Sequence, residues 1–184
     1  MEAKEEIVNL INEFKNGNKD SFVQIINKVQ EHVYKTIYSF IGNEENSIEV
    51  FDNVIFKSYT NLHKINHPEY FKTWVIRIAI NESKNFLSKN SKVIHIDDYI
   101  SENESFNTLD NSNIDNKIDF ENALNKLNID FKSILIMKFY MDFTLEEIAN
   151  TMQKPTSTIK TWYYKALSNL KENLNASIGE VKKL

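Results

Sequence analysis

Along the first third of the chain, hydrophobic residues recur among polar ones at the spacing of amphipathic α-helices. Hydrophobic side chains recur every three or four residues over residues 4–16, from about residue 20 to residue 42, and from about residue 46 to residue 62. This period places them along one side of each helix. A glycine separates each stretch from the next, and Asp20 or Ser21 can cap the second helix. The pattern predicts three helices around one hydrophobic core.

A fourth helix is predicted over residues 71–89, after a break at residues 61–70. The break contains Pro68 and has no helical period, so we expect a loop there. The polar arc of the helix is basic and amide-rich, and consists of Thr73, Arg77, Asn81, Lys84 and Ser88. A solvated face has this character. A surface that binds unstacked bases has it too, and the aromatic rings of Tyr70 and Trp74 lie close by in the sequence.

The second half of the chain forms a separate helical region. Residues 93–116 are rich in Asn, Ser and Asp without hydrophobic periodicity, which predicts a flexible acidic linker. Helical patterns resume near residue 118 and over residues 131–140, and the latter is hydrophobic enough to be largely buried. We therefore predict an all-α protein with two small helical domains, residues 1–92 and residues 117–184.

Residues 144–174 have the pattern of a helix-turn-helix. Thr144 and Glu147 are spaced as a capping box that starts a short helix, and Pro155 must follow its end. Hydroxyl caps for a second helix follow at Thr156, Ser157 and Thr158. The hydrophobic stripe of this helix consists of Ile159, Trp162, Tyr163, Ala166, Leu167, Leu170 and Leu174. Its opposite face consists of Ser157, Thr161, Tyr164, Lys165 and Ser168.

An ordinary helical hairpin, whose polar face only meets water, would show the same pattern. Local charge favours a nucleic-acid partner, because residues 154–171 contain four lysines and no acidic residue. The net charge of −4 does not oppose this interpretation, since binding depends on the charge of the local face. A second group of basic residues lies at residues 64–92, on the other side of the acidic linker.

The composition narrows the remaining alternatives. Three Gly and two Pro argue against a protein of sheets and tight turns, and the absence of cysteine excludes disulfides, thiolate metal sites and a Cys nucleophile. No stretch approaches the roughly 20 apolar residues of a membrane span, and the first residues do not resemble a signal peptide, so we expect a cytoplasmic protein. His63 and His67 have the spacing of two helical metal ligands, but Pro68 follows them and no third ligand is apparent. The histidines are scattered, so we expect no catalytic residue, metal or cofactor.

These motifs resemble the extracytoplasmic-function (ECF) sigma factors of bacterial RNA polymerase, in the sigma-70 family. The more specific similarity is C-terminal, in Ala123-Leu124-x-x-Leu127, Ile134-Leu135-x-Met137-Lys138-Phe139, Thr144–Ala149 and Pro155–Lys160. The segment Phe71-x-x-Trp74-Val75-x-x-Ile78-Ala79-x-Asn81 is similar to the family's stretch that recognises and melts the −10 element. Asp20-Ser21-Phe22 and Phe51–Phe56 are similar to its helices that hold the polymerase clamp. The resemblance covers nearly the whole chain except the linker.

The resemblance implies a role for each domain. Residues 1–92 would be a region 2-like four-helix domain that binds the β′ clamp of core RNA polymerase through Glu49, Asn53 and Lys57. This domain would recognise and melt the −10 element through Thr73, Trp74, Arg77, Asn81 and Lys84. Residues 117–184 would be a region 4-like domain that contacts the β flap and recognises the −35 element through Thr156, Ser157, Thr158, Lys160, Thr161 and Lys165. Promoter DNA and an anti-sigma factor are further implied partners, and no small-molecule substrate is implied.

A helix-turn-helix regulator is the main alternative, with an N-terminal domain that dimerises or senses a partner. It accounts equally well for the C-terminal half but leaves the polar arc from Thr73 to Ser88 without a role. It also predicts stable binding to duplex DNA in the absence of polymerase. An enzyme is the third alternative, and it lacks the clustered His, Asp or Glu residues that a catalytic pocket would need.

Overall fold

The structure is a computed structural model that describes residues 2–93, 120 and 122–181. Contacts within the chain divide it into two compact units, Met1–Ile100 and Ser101–Leu184. The described residues are helical and contain no strand, so the prediction of an all-α fold with two helical domains is confirmed. The predicted linker at residues 93–116 lies outside the described residues, apart from Val93 at the end of a helix.

The first unit consists of four helices and two short 3₁₀ turns. The helices are α1 (Glu2–Lys15), α2 (Asp20–Ile41), α3 (Glu44–Asn61) and α4 (Phe71–Val93), and the turns are Leu62–Lys64 and Pro68–Tyr70. The helices α2, α3 and α4 pack against one another, and α1 packs on α2. The fully buried side chains at their centre include Ile25, Ile37, Val54 and Ile76. The predicted single core of the N-terminal helices is therefore present.

The structure differs from the prediction at the N-terminus of α2, which has no side-chain cap, and at the start of α3. Neither Asp20 nor Ser21 caps α2: the amide of Asp20 donates to the side chain of Asn18 at 3.2 Å, and the hydroxyl of Ser21 donates to the main-chain oxygen of Asn18. The helix α3 begins at Glu44, earlier than predicted, because the side chain of Asn43 accepts the amide of Asn46 at 2.9 Å.

The predicted loop at residues 61–70 is more ordered than expected, because both 3₁₀ turns lie within it. Lys15, at the end of α1, donates from Nζ to the main-chain oxygen of Ile65 at 2.6 Å. This hydrogen bond joins the end of α1 to the segment between the two turns. The segment is therefore held against the unit next to the start of α4.

The second unit contains four described helices, and three of them contribute side chains to a hydrophobic core cluster. Its helices are α5 (residues 122–125), α6 (Ile129–Phe139), α7 (Leu145–Met152) and α8 (Thr156–Val181). The core cluster consists of Ala123, Leu124, Leu127, Leu135, Ala166 and Leu170. The helix α6 is buried along its middle, as its hydrophobic sequence predicted, and it starts at Ile129 because the side chain of Asn128 caps it. Asn173 of α8 donates to the main-chain oxygen of Ala123 at 3.0 Å, which joins α8 to α5.

Candidate nucleic-acid interface

The helices α7 and α8 form the predicted helix-turn-helix. The capping box is confirmed: the main-chain amide of Thr144 donates to Glu147 Oε2 at 2.8 Å, and the amide of Glu147 donates to Thr144 Oγ1 at 3.2 Å. The helix ends at Met152, and Gln153 takes a left-handed conformation with φ of 53°. Pro155 follows two residues later, and α8 begins at the next residue, Thr156. The turn is therefore fixed at both ends by local backbone chemistry.

Thr156, Ser157 and Thr158 do not stand ahead of α8 as caps. The structure places all three within its first turn, because the helix begins at Thr156. Ser157 is exposed, and Thr156 and Thr158 are half-buried. The hydroxyl of Thr161 donates to the main-chain oxygen of Ser157 at 3.1 Å, so this side chain rests along the helix.

The two faces of α8 separate as the sequence predicted. Ile159, Ala166 and Leu170 are buried, and Trp162 packs its ring against Phe131 with 6.2 Å between the ring centres. On the opposite face, the exposed residues are Ser157, Lys160, Thr161, Tyr164, Lys165 and Ser168. Within the part of the chain that the structure describes, neither Lys160 nor Lys165 has an acidic partner within 4.0 Å. This face therefore offers two uncompensated positive charges to an anion.

The polar arc of α4 is less accessible than that of α8. Thr73, Trp74, Arg77 and Lys84 are half-buried, and Asn81 is exposed. The Nε atom of Arg77 is buried, and Arg77 and Lys84 each interact with another group of the protein. Trp74 lies beside the ring of Phe71, at 5.7 Å between ring centres. The five residues predicted for the −10 element thus occupy one helix, in a partly enclosed setting.

The 3₁₀ turn at Pro68–Tyr70 places an aromatic group beside the start of α4. Tyr70 is 54% exposed, and its ring contacts the imidazole of His67 with 6.3 Å between ring centres. His67 Nδ1 lies 3.2 Å from Glu69 Oε1. His63 lies in the preceding 3₁₀ turn, so the two histidines do not share one regular helix. Among residues 2–93 and 122–181, no three His, Cys, Asp or Glu residues come together as metal ligands would.

His32 of α2 is held near positive charge. Partial burial is the main reason that its pKa lies below the usual value, and the charge of Lys72 at the start of α4 lowers the pKa further. The neighbouring Glu31 opposes this shift, but its carboxylate already accepts a hydrogen bond from Lys35 at 2.6 Å. Lys35 also lowers the pKa of Glu31. The neutral form of His32 is thus favoured in the folded protein.

The predicted polymerase contacts lie on α3, beside a groove that separates it from α4. Glu49 and Asn53 line the groove, and Lys57 forms an ion pair with Glu82 of α4 at 2.7 Å between Nζ and Oε1. The groove has a volume of about 370 Å³. Its lining consists of Asn46, Glu49, Val50 and Asn53 from α3 and of Glu82, Asn85, Phe86, Lys89 and Asn90 from α4.

Several exposed hydrophobic side chains were not among the predicted site residues, and three of them lie beside or on the predicted sites. Ile48 and Phe56 are 47% and 68% exposed on α3, and Tyr164 is 67% exposed on α8. The sequence contains a signal for each, because these residues fall outside the hydrophobic stripes of their helices. Ile48 and Phe56 adjoin the predicted polymerase contacts in the sequence, and Tyr164 lies on the predicted DNA face.

Comparison with known proteins agrees with this organisation. A family model described as sigma-70, region 4 matches residues 123–172. The chain is 28% identical to RNA polymerase sigma factor SigV of Bacillus subtilis (strain 168), over 87% of this chain and 95% of SigV. It is 20% identical to ECF RNA polymerase sigma factor SigW of the same organism, over 89% of this chain and 94% of SigW. The resemblance to ECF sigma factors is confirmed.

A solved structure shares the fold. The sigma factor RpoE from Bartonella quintana, in a co-crystal structure with the anti-sigma factor NepR, matches with a TM-score of 0.66 and 21% sequence identity. The match covers 84% of this chain and 96% of that chain. In the described part of this chain, no helix combines the length and the hydrophobicity required to cross a membrane.

Proposed function

We propose that this protein is an alternative sigma factor. Its residues 123–172 match sigma-70 region 4, and the chain is similar to ECF sigma factors over most of its length. It binds core RNA polymerase and directs it to promoters with −35 and −10 elements. It acts in the cytoplasm as a binding protein, without a catalytic residue or a cofactor. The observation that carries this proposal is the first part of α8, where residues 156–171 have one buried side and an exposed face that contains lysines but no acidic residue.

In this proposal α8 enters the major groove of the −35 element. Thr156, Ser157 and Thr158 lie in the first turn, where main-chain amides and hydroxyl groups bind phosphate oxygens. Lys160, Thr161 and Lys165 contact base edges or the backbone from the exposed face. Tyr164 extends this face by an aromatic ring, which can contact a thymine methyl group.

The N-terminal unit recognises and opens the −10 element. Thr73, Trp74, Arg77, Asn81 and Lys84 provide hydrogen-bonding and aromatic groups along one helix, and Tyr70 adds an exposed ring next to its start. Bases that have left the stack bind to such mixtures of rings and polar groups. The half-burial of Thr73, Trp74, Arg77 and Lys84 supports binding to single bases, because a partly enclosed surface contacts a base on more than one side.

Two sites that each bind DNA weakly bind a promoter tightly once polymerase holds both domains. Glu49, Asn53 and Lys57 contact the β′ clamp, and the second unit contacts the β flap. Binding of one site then raises the effective concentration of the other at the promoter. We further propose an anti-sigma factor as a regulatory partner, and the complex of the structurally similar RpoE with the anti-sigma factor NepR supports this.

Run-off transcription tests the proposal. The template is a DNA fragment from upstream of the protein's own gene, transcribed by bacterial core polymerase with and without the purified protein. We expect a discrete transcript start that depends on the protein. Tight duplex binding by the protein alone, without transcription and without retention of core polymerase in a pull-down, would instead establish a helix-turn-helix regulator.

A further inference from the structure

The end of α1 is fixed by a cluster of aromatic rings. Phe14 is half-buried near the end of α1, and its ring centre lies 5.8 Å from that of Phe22 on α2 and 5.4 Å from that of Tyr59 on α3. The rings of Phe22 and Tyr59 also contact each other, with 5.1 Å between their centres. Because three helices meet at these rings, the last turn of α1 has little freedom to move. Lys15, the next residue, therefore extends from a fixed point.

Lys15 joins this fixed point to the segment between the two 3₁₀ turns. Its Nζ atom donates to the main-chain oxygen of Ile65 at 2.6 Å, across 50 residues of the sequence. The amide of Ile65 donates to the main-chain oxygen of Leu62 at 3.2 Å, and the side chain of Ile65 is buried. Ile65 is thus held at its amide, its carbonyl and its side chain.

The 3₁₀ turn at Pro68–Tyr70 depends on its neighbours for its position. It is three residues long, and Pro68 has no amide hydrogen to donate. A 3₁₀ turn has poorer hydrogen-bond geometry than an α-helix, so a turn this short is held mainly by tertiary contacts. Those contacts come from α1, which packs against both turns, and from α4. The exposed ring of Tyr70 therefore takes its position from these two helices.

We propose that Lys15 is a positioning residue for recognition of the −10 element. Through Ile65 it holds residues 65–70 against α1, so that the ring of Tyr70 stands beside the polar arc of α4 where an unstacked base binds. Lys15 acts through Ile65 and not on the DNA itself. The inference rests on the proposed function, because Tyr70 and α4 belong to the proposed −10 surface. A bond that only stabilised the fold would affect every promoter alike, whereas a positioning bond affects the choice between bases.

Amide hydrogen exchange tests the structural part of this inference in the full-length protein, without polymerase. Lys15→Met removes the donor but keeps a long side chain that favours a helix. The amide of Tyr70 donates to the main-chain oxygen of His67 at 3.1 Å, so its exchange requires the turn to open. We expect the Tyr70 amide to exchange about fivefold faster in Lys15→Met, measured by NMR. An unchanged rate would overturn the inference.

Lys28 provides a matched control, because it is another exposed lysine that joins α1 to the rest of the unit. Its Nζ atom lies 2.8 Å from Oε2 of Glu6, in the first half of α1. Lys28→Met removes this ion pair and leaves the hydrogen bond to Ile65 in place. We expect exchange at Tyr70 to stay within about twofold of the rate in the unchanged protein. Equal acceleration in both variants would show that the packing of α1 as a whole holds the turn, and Lys15 would have no separate role.

Selectivity at the −10 element tests the functional part. Run-off transcription compares a promoter that the protein uses with copies that carry single base changes in the −10 element. We expect Lys15→Met to reduce the preference for the original base about fivefold at one −10 position, and Lys28→Met to keep it within about twofold. Lys15→Arg keeps a cationic donor, and the longer side chain has room because Lys15 is exposed, so most of the selectivity should return.

The outcomes separate this inference from the proposed function. If the unchanged protein initiates transcription and Lys15→Met selects bases equally well, the bond is only structural and the positioning role alone is wrong. A loss of selectivity in Lys15→Arg as large as that in Lys15→Met would also contradict the inference, because the donor would then not matter. If the unchanged protein does not initiate transcription, the proposed function fails, and the role of Lys15 fails with it.

Discussion

The two helices that we assign to DNA present their polar residues in different ways. On α8, Ser157, Lys160, Thr161 and Lys165 are exposed. On α4, four of the five assigned residues are half-buried, and the Nε atom of Arg77 is buried. The same sequence pattern, polar residues at helical spacing, therefore leads to an open face in one unit and to a partly enclosed face in the other.

The difference has a structural origin in the neighbours of each helix. The helix α8 packs with α6 and α7 through its hydrophobic stripe, which leaves the polar side open to solvent. The helix α4 packs with α2, α3 and the 3₁₀ turn that precedes it. An open face suits the edges of an intact duplex, whereas an enclosed one suits bases that have left the stack. Burial therefore distinguishes the two proposed nucleic-acid surfaces, although their sequence patterns are similar.

The largest effect is expected from reversing charge on α8. The double change Lys160→Glu and Lys165→Glu removes two uncompensated cations and adds two anions at the proposed −35 surface. We expect about 100-fold weaker promoter binding by the polymerase complex, at about tenfold for each lysine. The measurement is an electrophoretic mobility shift on a promoter fragment at fixed salt concentration.

Lys171→Glu is the control for this experiment, because Lys171 is an exposed lysine further along the same helix. The loss of promoter binding caused by Lys171→Glu should be much smaller than the loss caused by Lys160→Glu or Lys165→Glu alone. Equal losses for Lys171→Glu and Lys160→Glu would show that α8 acts through its overall charge, and the open face would then have no special role.

Arg77→Ala is expected to affect strand opening rather than duplex binding. We expect about a tenfold loss of transcription from duplex promoters, since the partly buried guanidinium group and its proposed base contact are both removed. On a template with an unpaired −10 segment, the loss should shrink to about twofold if opening is the affected step. An equal loss on both templates would show that Arg77 acts by stabilising the first unit. Arg77→Lys keeps the positive charge, so any loss in that variant would come from the shape and hydrogen bonds of the guanidinium group.

Some of the architecture was predictable because it depends on local chemistry. The capping box at Thr144 and Glu147, the stop imposed by Pro155 and the hydrophobic stripe of α8 are all set by residues within a few positions of one another. Each of these was predicted and is present. The start of α3 was predicted too late because its cap, Asn43, lies ahead of the predicted Asn46 or Ser47, and the predicted side-chain cap of α2 at Asp20 or Ser21 is absent.

The site was less predictable, because its properties depend on contacts between distant segments. The sequence does not show that Arg77 is half-buried or that Lys57 pairs with Glu82, since each depends on how α4 packs on its neighbours. The groove depends on the same packing. The assignments of individual residues to the −35 element, the −10 element and polymerase remain predictions, which the substitutions above are designed to test.

Stability offers a comparison of the two units, because each contains one tryptophan, Trp74 in the first and Trp162 in the second. Thr144→Ala removes the capping box of α7, and we expect the second unit to lose about 1 kcal/mol in its free energy of unfolding. Urea unfolding followed by fluorescence measures this loss in a Trp74→Phe background, where Trp162 reports. In a Trp162→Phe background, Trp74 should report an unchanged midpoint. A parallel shift of both would show that the units unfold together.

The smallest expected effect is the change of the free energy of unfolding with pH, and this change should be confined to the first unit. All four histidines lie before residue 101, and the pKa of His32 lies below its usual value in the folded protein. Because burial and Lys72 lower this pKa in the folded state, the unfolded chain takes up a proton first as the pH falls below about 6.5. The contribution of His32 to the free energy of unfolding should then decrease until the pH reaches the lower pKa of the folded state, and stay level below it. His32→Asn should remove that part of the pH dependence, measured through Trp74 in the Trp162→Phe background. An unchanged slope in His32→Asn would show that other groups cause the pH dependence.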